Sequence, residues 1–135
     1  FKVTKGLSTK YPDKIIQTPI SEAGFTGVAV GLAYKGLNPI VEIMFGDFTT
    51  LIFDQLLQHV SKFELMYNGK VKCPLIIRTP MGGKRGYGPT HSQSIEKHFL
   101  GIPNLGVVAL HHRLSPTYIY NVLGKTMGYY FCKST

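Results

Sequence analysis

The chain has 135 residues, 44% hydrophobic and 16% charged, which suits one globular domain with a real core and excludes a disordered polymer. The formal net charge is +8, but the lysines are scattered from Lys2 to Lys133 with no run longer than Lys84-Arg85. With no nucleic-acid motif beside that charge, a solvated surface and no nucleic-acid partner are expected.

No apolar run reaches membrane-spanning length, and no secretion-signal pattern opens the chain, so neither a membrane span nor export is expected. Cys73 and Cys132 have neither metal-ligand nor redox-pair spacing and read as reduced thiols.

In chain order, Ile15-Ile16-Gln17 predicts a short first strand. From Ser21 to about Lys35, alanines, glycines and apolar residues recur at helical spacing, with Gly36 as the C-cap. Pro39 to Met44 reads as a second strand. Thr49 to about Tyr67 reads as one helix, with Leu51, Ile52, Gln55, Leu56, His59, Val60 and Phe63 on one side. Leu75 to Arg78 is a third, buried strand, followed by a loop with glycines at 82, 83, 86 and 88.

Thr90 and Gln93 have capping-box spacing, so a helix is expected to start near His91. Leu105 to Leu110 is a fourth strand. Ser115-Pro116 carries N-cap and first-turn signals for a last helix, and Tyr129-Tyr130-Phe131 reads as a final edge strand or a tail. Strands alternating with helices predict an α/β fold: a three-layer αβα sandwich around a mainly parallel sheet, in a single domain over 1–135.

Two segments carry candidate chemistry. Thr18-Pro19-Ile20-Ser21-Glu22 puts a carboxylate where a strand-like run gives way to a helix-like run. Thr90-His91-Ser92-Gln93-Ser94 puts a histidine at the end of the glycine-rich loop. Both follow strand ends, where open α/β sheets place ligands. Taken alone, Glu22 is more often an ordinary acid in a first helical turn, and His91 an ordinary histidine in a capping turn. His59, His98, His111 and His112 receive no role.

Thr18-Pro19-Ile20-Ser21-Glu22-Ala23-Gly24-Phe25, Pro39-Ile40-Val41-Glu42, Asp54-Gln55, Arg78-Thr79-Pro80 and His91-Ser92-Gln93-Ser94 occur in order. This set resembles the pyrimidine-binding domain of transketolase-like thiamine-diphosphate enzymes. Within that family it is most similar to the beta subunit of the decarboxylating component of 2-oxo-acid dehydrogenase complexes. The resemblance spans roughly residues 1–125, and its strength lies in the co-linear set rather than in any one piece.

The resemblance implies a thiamine-diphosphate-binding fold, here its pyrimidine module, and an enzyme component inactive alone. The cofactor would be shared with an alpha-type subunit or domain that binds its diphosphate and magnesium through a Gly-Asp-Gly motif and a later asparagine. No such motif occurs here, since Gly46-Asp47-Phe48 lacks the second glycine, so no metal ligand is expected in this chain. A lipoyl-bearing acyltransferase, an oligomeric state and a cytoplasmic or mitochondrial-matrix location follow from the same resemblance. It also implies a second, C-terminal domain that this sequence does not include.

By the same resemblance, Glu22 hydrogen-bonds the aminopyrimidine ring nitrogen, Phe48 packs on that ring, Met44 lines the pocket and His91 faces the substrate as acid or base. A helix N-terminus at His91 is expected to help keep it neutral. Ordinary core packing is the competing reading for Phe48 and Met44. Leu51 stands where many relatives carry glutamine, which bears on substrate rather than cofactor class. The loop Gly82–Gly88 is not a phosphate-binding P-loop, because Lys84 is not followed by Ser or Thr. Lys84 and Arg85 read either as an attraction for a substrate carboxylate or as a solvated loop tip.

Three alternatives remain: a transketolase or deoxyxylulose-phosphate synthase-like transferase domain, a degenerate interaction module of the same fold, and a basic nucleic-acid binder. Retention of both Glu22 and His91 disfavours the interaction module, and His91-Ser92-Gln93 disfavours the transferases.

Overall fold

β-rich runs bounded by proline, glycine or charge supply four strands: β1 (Ile40–Glu42), β2 (Ile76–Arg78), β3 (Leu105–Leu110) and β4 (Tyr129–Ser134). In the computed structural model they form one sheet in the order β1-β2-β4-β3, with every pairing parallel. The structure describes residues 4–84, 86–110, 115, 117–119, 121 and 129–134, the last through backbone only. The expected α/β architecture around a parallel sheet is therefore present. Among the described residues, no helix is long and apolar enough to cross a membrane.

β4 corrects the expectation of an edge strand. All six of its residues pair with β3 on one side and Tyr130, Phe131 and Cys132 with β2 on the other, so it lies inside the sheet. A run with two ladders to satisfy belongs in the interior. The first expected strand is also absent. Residues 15–17 are irregular, with Ile15 39% and Ile16 71% exposed. Three residues hold strand geometry only beside a partner backbone, and β1 pairs with β2 rather than with them.

Two short helical turns, α1 (Leu7–Lys10) and a 3-10 turn (Pro12–Lys14), precede this segment. Helix α2 (Glu22–Tyr34) then follows the expected span closely. Thr26, Ala29, Val30 and Ala33 form its buried stripe, at the spacing an amphipathic helix requires. The helix ends in a Schellman motif. The Leu37 N–H donates to the Leu32 carbonyl at 3.2 Å and the Gly36 N–H to the Ala33 carbonyl at 2.9 Å. Gly36 has φ +89°, which a side chain would resist.

The helix expected over 49–67 is not one α-helix. A 3-10 helix runs over Gly46–Ile52, a π-helix over Gln55–Val60, and α3 over Phe63–Met66. Ile52, Leu56 and Val60, all fully buried, recur every fourth residue. The local winding changes along the segment, tight through Ile52 and wide from Gln55 to Val60, while these three side chains stay in the core. The Ser61 N–H reaches back five residues to the Leu56 carbonyl at 3.0 Å, and its hydroxyl donates to the Leu57 carbonyl at 2.7 Å.

The core combines this face with Ile43, Leu75, Ile77 and Phe99, all fully buried, and with the α2 stripe. Cys73 is a buried thiol in the same cluster. Cys132 lies in β4, where only the backbone is described. The last expected helix is supported by its cap: the Tyr118 N–H donates to the Ser115 hydroxyl at 3.1 Å. Pro116 and the two histidines His111 and His112 lie outside the described residues.

Tyr34 ties α2 to the π-helix. Its hydroxyl donates to the His59 carbonyl at 3.0 Å and its ring stacks on Phe63 at 5.3 Å. Burial first, then nearby Cys73 and Tyr67, hold that hydroxyl well above the usual phenol range. The unfolded chain loses this proton near pH ~10 while the folded chain retains it, so folding stability falls as pH rises beyond that point. Tyr34→Phe is expected to cost about 1 kcal/mol at neutral pH and to flatten part of the alkaline decline. Urea midpoints of both proteins at neutral and alkaline pH check this.

Candidate active site

β1 and β2 run in register, with Ile40 beside Ile76, Val41 beside Ile77 and Glu42 beside Arg78. Their carboxyl ends therefore deliver two chain segments side by side. Glu42 and Arg78 close the strand ends with an ion pair at 2.8 Å, partly exposed and so worth at most about 1 kcal/mol. Pairing continues past the strands. The Ile43 N–H donates to the Arg78 carbonyl at 2.9 Å, and the Gly46 N–H to the Pro80 carbonyl at 2.8 Å. Gly46 is needed for that approach, because a Cβ there would lie 2.7 Å from Met81 Cγ and 3.0 Å from its Cβ.

His91 sits on an aromatic floor built by the first segment. Its ring meets Phe45 edge-on at 4.9 Å between centroids and Phe48 at 5.1 Å. Phe45 also meets Phe48 at 5.7 Å and Tyr87 at 5.2 Å, both edge-to-face. Such contacts are each worth about 0.5–1.5 kcal/mol beyond their area and select ring orientation. Thr90 Oγ1 lies 2.8 Å from His91 Nδ1, leaving the imidazole half-buried with Nε2 as its other polar atom. Phe45 is buried and Phe48 half-buried.

The helix expected to start at His91 is absent. Residues 88–95 are irregular, and only Glu96–His98 forms a 3-10 turn. The two capping-box residues are engaged elsewhere: Thr90 with His91, and Gln93 with Asp47. The helix-terminus contribution expected at His91 is absent with it. Asp47, only 8% exposed, accepts from the Gln93 side-chain amide at 2.7 Å and from the Gln93 N–H at 3.3 Å, both through Oδ1. The Gln93 carbonyl accepts from the Gly82 N–H at 3.2 Å. The Thr49 and Thr50 hydroxyls bond back to the Gly46 and Asp47 carbonyls at 2.6 and 2.9 Å, fixing the turn that carries Asp47 and Phe48.

Glu22 is the first residue of α2, half-buried, and its carboxylate has no hydrogen-bond or ion-pair partner among the described residues. Ser21 precedes it without a side-chain cap, although its carbonyl accepts from the Phe25 N–H at 2.9 Å. Helix α2 packs on the 3-10 helix that carries Asp47 and Phe48. Met44 is 58% exposed and Leu51 55%, so neither is spent on the core. The structure thus joins His91 and Phe48 directly, leaves Met44 open nearby in sequence, and links Glu22 to them only through helix packing. Of the unassigned histidines, His59 faces Asp54 at 3.8 Å and Phe63 edge-on, and His98 is exposed. No group of three or more His, Cys, Asp or Glu among the described residues is disposed to hold a metal ion.

Residues 1–114 match the family described as transketolase, pyrimidine binding domain. The chain belongs to that family. The pyrimidine-binding domain is 41% identical over 110 residues to the mitochondrial pyruvate dehydrogenase E1 component subunit beta-1 of Arabidopsis thaliana, covering 81% of this chain and 30% of that protein. It is 43% identical over 110 residues to the pyruvate dehydrogenase E1 component subunit beta of Rickettsia conorii, covering 81% and 34%. It is also 42% identical over 106 residues to the beta subunit of acetoin:2,6-dichlorophenolindophenol oxidoreductase from Cupriavidus necator, covering 78% and 31%. The chain spans about a third of the length of the curated relatives it matches.

Sequence reasoning overlooked Phe45, Tyr87, Asp47 and Gln93 as a unit of the pyrimidine-binding domain. A signal existed for one of them: Asp47 is a lone acid between two aromatics directly after a strand. Nothing in the sequence pairs it with Gln93, forty-six positions away. Gly46→Ala is expected to cost about 1–3 kcal/mol, because Met81 is buried and its Cβ and Cγ have no room to withdraw. Chemical denaturation measures the loss, and the same variant should weaken the Phe48–His91 contact seen by aromatic cross-peaks in nuclear magnetic resonance.

Proposed function

We propose that this chain is the pyrimidine-holding half of a thiamine-diphosphate site in a 2-oxo-acid dehydrogenase of the pyruvate or branched-chain type. Residues 1–135 act as a single pyrimidine-binding domain. The observation that carries the reading is the contact of His91 with Phe48 at the carboxyl ends of β1 and β2. The family match supports it, and so do relatives whose names are those of beta subunits of such dehydrogenases.

The residues fit the pyrimidine end of that cofactor. Phe48 offers an aromatic edge, Met44 and Leu51 an open apolar rim, and Glu22 a carboxyl without a protein partner. When bound, thiamine diphosphate would supply a carbon nucleophile, once its thiazolium C2 proton is removed, and an electron sink for decarboxylation of a 2-oxo acid. Glu22 shares a proton with the ring nitrogen of the aminopyrimidine. Closure by a partner would bury Glu22 further and exclude water from that contact.

Phe48 and Met44 hold the ring and exclude water from that proton. His91, steadied by Phe45 and Phe48, offers an imidazole nitrogen to the substrate and moves a proton during decarboxylation and acyl transfer. Diphosphate and magnesium are assigned to an alpha-type partner, and the acyl group passes to a lipoyl-bearing acyltransferase. The assembly is an oligomer of the cytoplasm or mitochondrial matrix.

Glu22→Gln in the assembled enzyme is expected to leave the melting temperature within a few degrees of wild type, since the side chain is unpaired in the fold. Exchange of the thiazolium C2 proton should slow by about a hundred-fold or more, the usual scale for a lost positioned acid. Exchange at the wild-type rate would remove Glu22 from the mechanism.

A further inference from the structure

We propose that Asp47 is a positioning residue: it holds the His91 imidazole in its reacting orientation by gripping Gln93. The inference deepens the functional reading above and rests on His91 meeting the substrate. Its support is geometric. The segment 45–48 holds the segment 91–93 at two places, by ring contacts from Phe45 and Phe48 to His91 and by two hydrogen bonds from Gln93 to Asp47 Oδ1.

Edge-on ring contacts choose a plane for the imidazole but allow it to slide along the floor. The hydrogen bonds remove that freedom. One is made by the Gln93 backbone, so it fixes the chain two residues after His91 rather than only a side chain. The Gly82 N–H fixes the Gln93 carbonyl as well. No helix anchors this stretch, so these bonds replace the regular structure that would otherwise set the direction of His91.

Asp47 in turn is fixed. It is buried, and its turn is closed by the Thr49 and Thr50 hydroxyls. Gln93 is exposed, so without Asp47 its amide and N–H find water, and the fold survives while the loop loosens. A displacement of about 1 Å in a reacting group costs on the order of a hundred-fold in rate, so a loosened loop reads out in turnover. Asp47→Asn keeps an acceptor oxygen for both Gln93 donors, whereas Asp47→Ala keeps none.

The test uses the full-length beta-type subunit assembled with its partner. D47A, D47N, H91A and the D47A/H91A double variant are compared for kcat, KM and melting temperature. His91 modification by diethyl pyrocarbonate is followed by mass spectrometry in wild type, D47A and D47N. The expected results are a kcat loss of about ten- to a hundred-fold in D47A with KM little changed, and recovery of most of it in D47N. The double variant should be no worse than H91A alone, because a group acting through His91 has nothing left to position. His91 should be modified several-fold faster in D47A and at the wild-type rate in D47N.

Losses that multiply in the double variant would overturn the proposal. So would D47N as impaired as D47A, or a D47A effect confined to melting temperature. If H91A itself turned over at the wild-type rate, the functional reading of His91 would have failed. The modification rates would then judge Asp47 alone, with an unchanged rate in D47A overturning the positioning role and a several-fold rise sustaining it.

Discussion

The parallel register of β1 with β2 governs what this chain can do. With Glu42 beside Arg78, the first residues beyond each strand emerge together, and the hydrogen bond from Gly46 to Pro80 holds them there. Everything at the site hangs from this pairing. Phe45 and Phe48 come from one segment and His91 from the other, and they meet only because the two strands stop level. A one-residue slip would turn Phe45 to the opposite face and leave His91 without a floor. The glycine at 46 is part of the same constraint, because the segments approach until Met81 fills the space a side chain would take.

The site is uneven in a way that suits a shared cofactor. Its interior is rigid: interlocked rings, a buried carboxylate holding a loop, and hydroxyls closing a turn. Its rim is open, with Met44 and Leu51 more than half exposed and Glu22 unpaired at the start of α2. An unpartnered carboxyl and exposed apolar side chains make a poor free surface and a good contact surface. On the proposed reading, cofactor and partner complete it. Assembly and completion of the site are then one event.

Much of this was legible in sequence, for physical reasons that differ by element. Helix α2 and its glycine cap follow from local spacing and a left-handed position, both readable within fifteen residues. β3 follows from an unbroken apolar run. The 49–67 segment defeated the reading because apolar residues at every fourth position satisfy a helical template whether the turn is α or π. The Thr90–Gln93 capping box misled because its two side chains had stronger partners. Thr90 turned to His91, and Gln93 to a carboxylate placed by another strand. Residues 15–17 lacked a neighbour, and β4 had two where one was expected. For Gln93 and β4 a distant contact decided the outcome, and no local pattern encodes a distant contact.

The central claim is that this chain carries half of a thiamine-diphosphate site: a pyrimidine wall of Glu22, Phe48 and Met44, facing a diphosphate-and-magnesium site on another domain. Calorimetric titration of the cofactor with magnesium tests it most directly, first into this chain alone and then into the chain combined with an alpha-type partner. The account predicts little or no binding by the chain alone and saturable binding once the partner is present, weakened by Phe48→Ala. Submicromolar binding by the chain alone would place the diphosphate site within these residues and contradict the account.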